Sequence, residues 1–182
     1  MAEHIARRTA PVAATAATAA ALVLGAVPAD VGATEEYEHC IIEVIGIEET
    51  GEFITAPPQC FASLGESLRA QGVDVPASRT ELSMDDVIGE DLLAAASFTL
   101  AVHYNFANLT GASISITGTD CGGGYLNLDA GWIDRITSTY NACTNVTFYD
   151  GYDKTGGSES TGWGSQNLAG LNNAANSVAY GS

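Results

Sequence analysis

The chain has 182 residues and a formal net charge of −16, with 22 Asp and Glu residues against six Lys and Arg residues. So acidic a surface should repel nucleic acid and anionic lipid, because both carry negative phosphates. We therefore expect no nucleic-acid partner and no membrane partner once any export signal is removed, whereas a cation or a basic protein would be attracted.

The first 33 residues have the pattern of a secretory signal. Arg7 and Arg8 provide a positive start, an apolar Ala-rich run covers 10–27, and small residues at 31–33 suit a cleavage site. A transmembrane anchor is the alternative, but prolines and threonines interrupt this weakly hydrophobic run. We expect cleavage after residue 33 and a secreted, extracellular protein.

Four cysteines follow the signal: Cys40, Cys60, Cys121 and Cys143. An even number in an exported chain predicts disulfides, and the spacing lacks the close pairs of a zinc site. Three connectivities are possible. We favour Cys40–Cys60 and Cys121–Cys143, because each pair then lies within one compositional region.

Residues 34–96 form an acidic region, which contains 14 carboxylates and only two arginines. The β-branched stretch 40–47 predicts a strand, 48–51 a turn, and 53–55 a returning strand that two prolines end. A short helix is predicted next. This α+β region could be a pro-segment, an appended hairpin or an inhibitory wedge.

The predicted helix carries Phe61, Leu64 and Leu68 at helical spacing and ends at Gln71-Gly72. Residues 74–83 have the composition of a linker. A second helical turn is predicted from a further apolar patch, made of Met84, Val87, Ile88, Leu92 and Leu93.

Residues 97–182 differ from this acidic region in composition. They are rich in Gly, Ser, Thr, Asn and Tyr, and turn signals recur about every 8–12 residues. This spacing is typical of an all-β sandwich or barrel.

An internal repeat lies within this domain. Residues 104–113 match 149–158 at a shift of 45 residues, with Tyr, Thr, Gly and Ser coinciding. Gly111 and Gly156 fall where a hairpin needs a positive φ or a close backbone approach. The tyrosine seven residues before each glycine is expected to pack over it. Each unit alone would leave one sheet face uncovered, so the two units should pack together.

The second halves of the two units also match. Asn127-Leu128 aligns with Asn167-Leu168, and 134–138 aligns with 173–177. One conflict remains inside the first unit. There, the alternating pattern predicts that Leu100 and Val102 face the interior. The alignment of the two repeats, however, matches His103 with Phe148. A β-bulge, or a strand buried on both faces, would reconcile the two patterns.

The two units resemble the motifs of the βγ-crystallin superfamily. In this family an aromatic residue precedes a Gly and a Ser, and a later stretch carries two Asn/Asp, two variable residues, a Ser/Thr and a Ser. The resemblance covers 98–182 and is clearest in 131–138. It implies an all-β fold, with two Greek-key motifs closing a βγ-crystallin-like sandwich over 97–182.

The resemblance also implies a weak calcium site in each unit. The residues that match the family's ligand positions are Asp134 and Asn173, then Thr137 and Asn176, with Asn105 and Asp150 lending backbone carbonyls. The stretch 133–138 begins with Ile where the family has Asn/Asp, and Asn176 stands where it has Ser/Thr. If they bind no metal, these residues would serve as turn caps.

We expect no enzymatic activity. Only His39 and His103 remain after the signal, in different regions, and no triad, HExxH or phosphate-binding loop is present. The family resemblance implies a structural or stress-related module. The alternatives are an inhibitor of a secreted metalloproteinase, with 121–125 as its rigid loop, or an antimicrobial toxin-like protein. We expect a monomer. Trp132 and Trp163 could serve as binding anchors, but in so small a sandwich a position in the core is the more common one.

Overall fold

The computed structural model describes residues 39–76, 86 and 99–182, all within one compact unit. These residues form two β-sheets and one short helix. In chain order the elements are β1 (His39–Ile47), β2 (Phe53–Thr55), β3 (Gln59–Phe61), α1 (Leu64–Ala70), β4 (Thr99–Phe106), β5 (Thr110–Thr117), β6 (Tyr125–Asn127), β7 (Ser138–Asn141), β8 (Asn145–Tyr149), β9 (Ser158–Thr161), β10 (Gly164–Asn167) and β11 (Ser177–Gly181).

The first sheet has the strand order β10-β7-β4-β5-β1-β2, and β3 also pairs with β1. The second sheet has the order β6-β11-β8-β9. Neighbouring strands are antiparallel except for β1 and β5, which run parallel from His39↔Ser113 to Glu43↔Thr117. The predicted all-β sandwich is therefore confirmed as two packed sheets.

Strands β4–β7 and β8–β11 form two similar units. In each unit the third strand leaves its own sheet, so that β6 pairs with β11 and β10 pairs with β7. Because each sheet contains strands of both units, the two units share the core between the sheets.

Left-handed backbone conformations recur at equivalent places in the two units. Gly111 and Gly156 have φ of 80° and 81°, and Asp134 and Asn173 have φ of 55° and 53°. This agrees with the alignment of the repeats made from the sequence. The further equivalent pairs are Asn108 with Asp153 and Leu109 with Lys154.

The expected stacking of tyrosines on these glycines is wrong. The ring nearest to Gly111 is that of Phe106, and the nearest atoms at Gly156 belong to Asp150 and Gly151. Tyr104 instead turns to the outer face of the first sheet, where it is buried.

The main core fills the space between the two sheets. Ile114 and Ile116 of the first sheet meet Phe148 and Val178 of the second. Trp132 also packs in this core, as predicted, whereas Trp163 is 65% exposed and the prediction for it is wrong.

A second, smaller core lies on the outer face of the first sheet. The helix α1 and the two valines that follow it cover this face, so that α1, the first sheet and the second sheet form three layers. The buried residues of this core are Leu64, Leu68, Val73, Val75, Val102, Tyr104, Leu109 and Tyr140.

Strand β4 is buried on both faces as a result. His103 reaches across to the second sheet, whereas Val102 and Tyr104 face the helix. The register also shifts between Thr99 and Ala101. Both the bulge and the two-sided burial are present, and together they explain the conflict in the sequence pattern.

The predicted hairpin in the acidic region is confirmed by β1 and β2, which a turn closes through a 2.8 Å hydrogen bond from Glu48 N to Glu52 O. The predicted helix forms over Leu64–Ala70 and stops before Gly72, whose φ is 85°. Phe61, however, lies in β3 and not in the helix, because that short segment pairs with β1.

The helix begins at a capping residue. The Ser63 hydroxyl accepts a hydrogen bond from the Glu66 amide at 3.3 Å, which satisfies one of the free N–H groups of the first turn. The helix is short, so its stability depends on the burial of Leu64 and Leu68 rather than on helix propensity.

The two disulfides are Cys40–Cys60 and Cys121–Cys143, as predicted. The first joins residues that face each other in β1 and β3. The second joins the segment before β6 to the end of β7. Closing loops of 20 and 22 residues stabilises the fold by about 3 kcal/mol each in the chain-entropy description.

Some predictions fall outside the described residues. These are the signal segment 1–33 and, apart from Asp86, the second apolar patch over 84–93. Among the residues that are described, no helix is long and apolar enough to cross a membrane.

Candidate functional site

Four of the six candidate calcium ligands, Asp134, Thr137, Asn173 and Asn176, lie in loops between strands that belong to different sheets, whereas Asn105 lies in β4 and Asp150 directly follows β8. In each unit this loop follows the third strand and contains one left-handed residue, Asp134 or Asn173. Backbone hydrogen bonds tie the two loops together, from Asp134 N to Ala175 O at 3.1 Å and from Asn173 N to Ile136 O at 2.9 Å. The ligand positions of one unit are therefore held beside those of the other.

The first candidate site is built around Thr137, and we call it the Thr137 cradle. The Thr137 hydroxyl oxygen lies 3.0 Å from the Asn105 carbonyl oxygen and 2.9 Å from Asn173 Oδ1. A surface pocket opens here, and its lining includes Asp134 as well as these three residues. The structure thus brings four predicted site residues together, one of them charged.

The oxygen spacing in the Thr137 cradle suits a calcium ion. A hydroxyl has one proton and can donate a full hydrogen bond to only one of the two neighbouring oxygens. Two oxygens bound to calcium at about 2.4 Å, with about 75° between them, lie roughly 2.9 Å apart. The three oxygens of Thr137, Asn105 and Asn173 therefore match adjacent positions in a calcium shell.

A positive side chain also lines this pocket. This is Arg135, whose Nη1 donates to Gly131 O at 2.7 Å and whose Cζ lies 5.2 Å from the centre of the Trp132 ring.

The second candidate site, the Asn176 cradle, is the equivalent place in the other unit. Asn176 Nδ2 donates to the Asp150 carbonyl at 2.5 Å, and Asn176 N donates to Tyr149 O at 2.7 Å. The Asp150 carboxylate accepts from Gly157 N at 2.7 Å and so braces its own hairpin. The backbone carbonyl of Asp150, and not its carboxylate, is thus the group that contacts Asn176.

Two amide oxygens near these cradles are buried without a hydrogen-bond partner, Asn105 Oδ1 and Asn176 Oδ1. Buried polar oxygens are nearly always satisfied by protein, water or a metal ion. The Asn176 oxygen belongs to a predicted ligand and is the one that a cation in its cradle would satisfy.

The described residues contain no cluster of three or more His, Cys, Asp or Glu side chains able to hold a metal. The cradles consist mainly of neutral oxygens, which is the chemistry of a weak site for a hard cation.

Of the two histidines considered in the sequence, His39 places its Nδ1 2.9 Å from Ser113 Oγ, and His103 is enclosed in the core. His103 is fully buried, with Nδ1 2.8 Å from Thr139 Oγ1 and Nε2 2.9 Å from Tyr180 Oη. Burial lowers the pKa of His103 to about 3, so the ring is neutral near pH 7. This ring is not placed to reach a substrate at the surface.

Sequence reasoning missed one surface feature, the exposed side chains of the β1–β2 hairpin. Ile45, Ile47 and Ile54 are 62%, 50% and 45% exposed. Ile45 and Ile47 lie two residues apart in β1 on either side of Gly46, so their side chains share one face of the strand.

The glycine run after Cys121 is only partly a surface loop. Gly122 and Gly123 are exposed, but Gly124 is buried against the Phe53 ring and its carbonyl accepts from Tyr180 N at 2.9 Å.

Neither a scan of protein-family models nor a search of curated proteins found a match to this chain.

Proposed function

We propose that this chain is an extracellular, non-catalytic module of the βγ-crystallin type that binds calcium weakly. Each four-strand unit would be one Greek-key motif. The strand order supports this proposal, since the third strand of each unit joins the other unit's sheet. The equivalent left-handed residues in the two units support it further.

The proposed extracellular location rests on two features. The first is the signal-like sequence over 1–33. The second is the pairing of all four cysteines, which is typical of oxidising compartments such as the bacterial exterior. We infer that the protein works where calcium is abundant and where disulfides persist.

The observation that carries the calcium proposal is the position of the Thr137 hydroxyl between the Asn105 carbonyl and Asn173 Oδ1. The Asp134 carboxylate lines the same pocket and would add charge to the site. Asp134 is the one charged ligand candidate in this site, and calcium affinity rises with the number of charged ligands. We therefore expect a dissociation constant in the millimolar range of extracellular modules. Calcium held here would clamp the loops of the two units together.

Thermal unfolding of the purified protein tests this proposal. Calcium at millimolar concentration should raise the melting temperature relative to a chelator, because a ligand bound only by the folded state stabilises it. Thr137→Val should reduce the increase, since it removes the central oxygen of the Thr137 cradle at nearly constant volume. Thr147→Val is the matched control, because Thr147 lies on the exposed side of β8 and bonds Ser160.

Equal melting temperatures with calcium and with chelator in the wild-type protein would refute the calcium site. An increase that is undiminished in Thr137→Val would show that calcium does not bind in the Thr137 cradle. The family assignment would stand in either case, because it depends on the strand order and the repeat.

A peptidase inhibitor is the second candidate function, and the β1–β2 hairpin is the observation that favours it. The hairpin exposes Ile45 and Ile47 and is fixed at its base by Cys40–Cys60. Its returning strand is anchored by Phe53, whose ring stacks on Tyr180 at 5.6 Å. A rigid exposed segment loses little entropy on binding, which is what inhibition requires.

Titration of secreted metallo- and serine peptidases with the protein tests this second candidate. Stoichiometric inhibition that Ile45→Ser and Ile47→Ser weaken, and that Phe106→Ser does not, would support it. Phe106 is a suitable control because it is 60% exposed but lies outside the hairpin. Full peptidase activity at a molar excess of the protein would reject this function.

A further inference from the structure

An apolar cleft opens between the edges of the two sheets. The edge strand β2 of the first sheet meets the edge strand β6 of the second at one point, where Glu52 bridges Tyr125 and Tyr125 N donates to Gly51 O at 3.0 Å. Beyond this point the two strands diverge. The cleft lies in the space between them, beside Thr55 and Asn127.

The residues that follow β2 do not continue its pairing with β6 along the cleft. Pro57 and Pro58 follow β2, and neither has an N–H group that could extend the pairing toward β6. Ala56, which precedes them, donates its N–H to Glu43 O at 2.9 Å and so turns back toward β1. The sheet edges are therefore joined at one end of the hairpin and separated at the other.

The cleft has a volume of about 210 Å³. An engineered apolar cavity of about 150 Å³ in another protein holds benzene, so this cleft has room for a benzene-sized body with a short substituent. The apolar lining comes from both sheets and from the loop after β6, and consists of Ile42, Ile114, Leu126, Leu128 and Trp132.

The rim of the cleft is acidic. Asp129 is exposed and is the charged residue among those that line the cleft. Its Oδ1 accepts from Gly131 N at 2.9 Å, whereas its Oδ2 has no hydrogen bond within the described part of the chain. The neighbouring rim residue Asn127 is already held by two further carboxylates, through Nδ2 contacts of 2.9 Å to Glu52 and 2.8 Å to Asp153.

Two basic side chains lie near this rim, and each is engaged by other groups. Arg135 Nη1 donates to Gly131 O at 2.7 Å, and Arg135 Cζ lies 5.2 Å from the centre of the Trp132 ring. The other is Lys154. Its Nζ lies 4.6 Å from the centre of the Tyr125 ring, on the side where the hairpin meets β6. Asp129 therefore remains available to a positively charged ligand, in a chain whose net charge of −16 attracts cations.

We propose that this cleft binds a small organic cation, an amine with an aromatic or branched aliphatic body. The body fills the space between Leu126, Leu128 and Trp132, and the ammonium group pairs with Asp129 at the rim. An apolar pocket with one charged group that fixes orientation is the usual design of a small-molecule site. This site is separate from the calcium cradles and does not depend on the proposed function.

The test uses the full mature chain and three probes that share one ring: benzylamine, benzyl alcohol and benzoate. Amide and indole shifts in ¹H–¹⁵N spectra report binding. We expect saturable shifts at Leu126, Leu128 and Trp132, with benzylamine bound two- to fivefold more tightly than benzyl alcohol, the range that an exposed ion pair supplies. Benzoate should bind most weakly.

Two pairs of variants locate the site. Asp129→Asn keeps the acceptor for Gly131 N and should reduce benzylamine binding to the level of benzyl alcohol. Asp120→Asn removes the same charge from a different exposed loop and should keep the preference. Thr55→Trp should block the cleft, whereas the neighbouring Ile54→Trp lies outside the cleft lining and should not.

Three results would each overturn the proposal. The first is the absence of saturable shifts with all three probes at millimolar concentration. The second is benzoate binding as tightly as benzylamine. The third is binding of benzylamine that Thr55→Trp leaves unchanged, because the probe would then occupy another place.

Discussion

The hydroxyl of Tyr180 in β11 lies 2.9 Å from Nε2 of His103 in β4 and so joins the two sheets inside the core. The other ring nitrogen of His103 contacts Thr139, which donates to Asn141 Oδ1 at 2.6 Å. Asn141 in turn donates to Thr161 at 2.7 Å. The polar chain therefore starts in the second sheet, crosses the first and returns to the second.

The donor and the acceptor of every hydrogen bond in this series of polar side chains can be deduced. Asn141 Nδ2 also donates to the Gly162 carbonyl, which can only accept, so the amide oxygen must face Thr139. The Thr139 proton is thereby used, and His103 must donate to it from Nδ1. His103 Nε2 is then the acceptor for the Tyr180 hydroxyl, and each of these polar atoms is satisfied.

The first prediction concerns acid stability. Because burial lowers the pKa of His103 to about 3 against 6.5 in the unfolded chain, unfolding takes up a proton between these values. The contribution of His103 to stability is full above pH 6.5 and declines as the pH falls toward 3. Between pH 7 and 4.5 the loss should be roughly 2–3 kcal/mol, measured by urea unfolding.

The matched variant for this prediction is His103→Gln, which cannot titrate. Its stability should depend less on pH than that of the wild-type protein, by the same roughly 2–3 kcal/mol, even if it is less stable overall. The His103 ring resonances should not titrate between pH 8 and 4. A midpoint near 6.5 in those resonances would contradict the burial argument.

The second prediction is that Tyr180→Phe destabilises the protein by about 1–3 kcal/mol, because it leaves His103 Nε2 buried without a donor. Chemical unfolding measures this change. Tyr152→Phe removes the same hydroxyl from a side chain that is 48% exposed, and should have almost no effect. Equal costs for the two variants would mean that the bond to His103 contributes nothing specific.

The third prediction concerns the contact between the glycine run and the hairpin. A Cβ atom at Gly124 would overlap the Phe53 ring, which is itself fixed by stacking on Tyr180. Gly124→Ala should therefore cost about 1–3 kcal/mol through overpacking. Gly162→Ala is the control, since only one atom lies within 4 Å of the added methyl group and φ is not positive there. A thermal melt that is the same for both variants would argue against this contact.

The fourth prediction tests whether the acidic region is part of the folded core. Leu68 is 2% exposed and packs with Val102 and Tyr104 on the outer face of the first sheet. Leu68→Ala should cost about 2–5 kcal/mol, as a buried cavity does. Ile54→Ala, in the same region but 45% exposed, should cost far less. A negligible loss in Leu68→Ala would mean that α1 does not stabilise the sheet.

Local patterns in the sequence were sufficient for the elements whose structure depends on near neighbours. The hairpin around 48–51 and the helix that ends at Gln71 follow from turn residues and helical spacing, and both are present. The repeat at Gly111 and Gly156 was also visible, because a backbone with positive φ selects glycine wherever it recurs.

The tertiary structure alone decided which distant elements meet. Parallel pairing of β1 with β5 joins the acidic region to the repeat domain, and nothing in either segment specifies that partner. Thr137 meets Asn173 over 36 residues, and His103 meets Tyr180 over 77. The physical reason is that alternation and turn residues encode a conformation and a buried face, whereas the partner across that face is selected by packing of the whole chain.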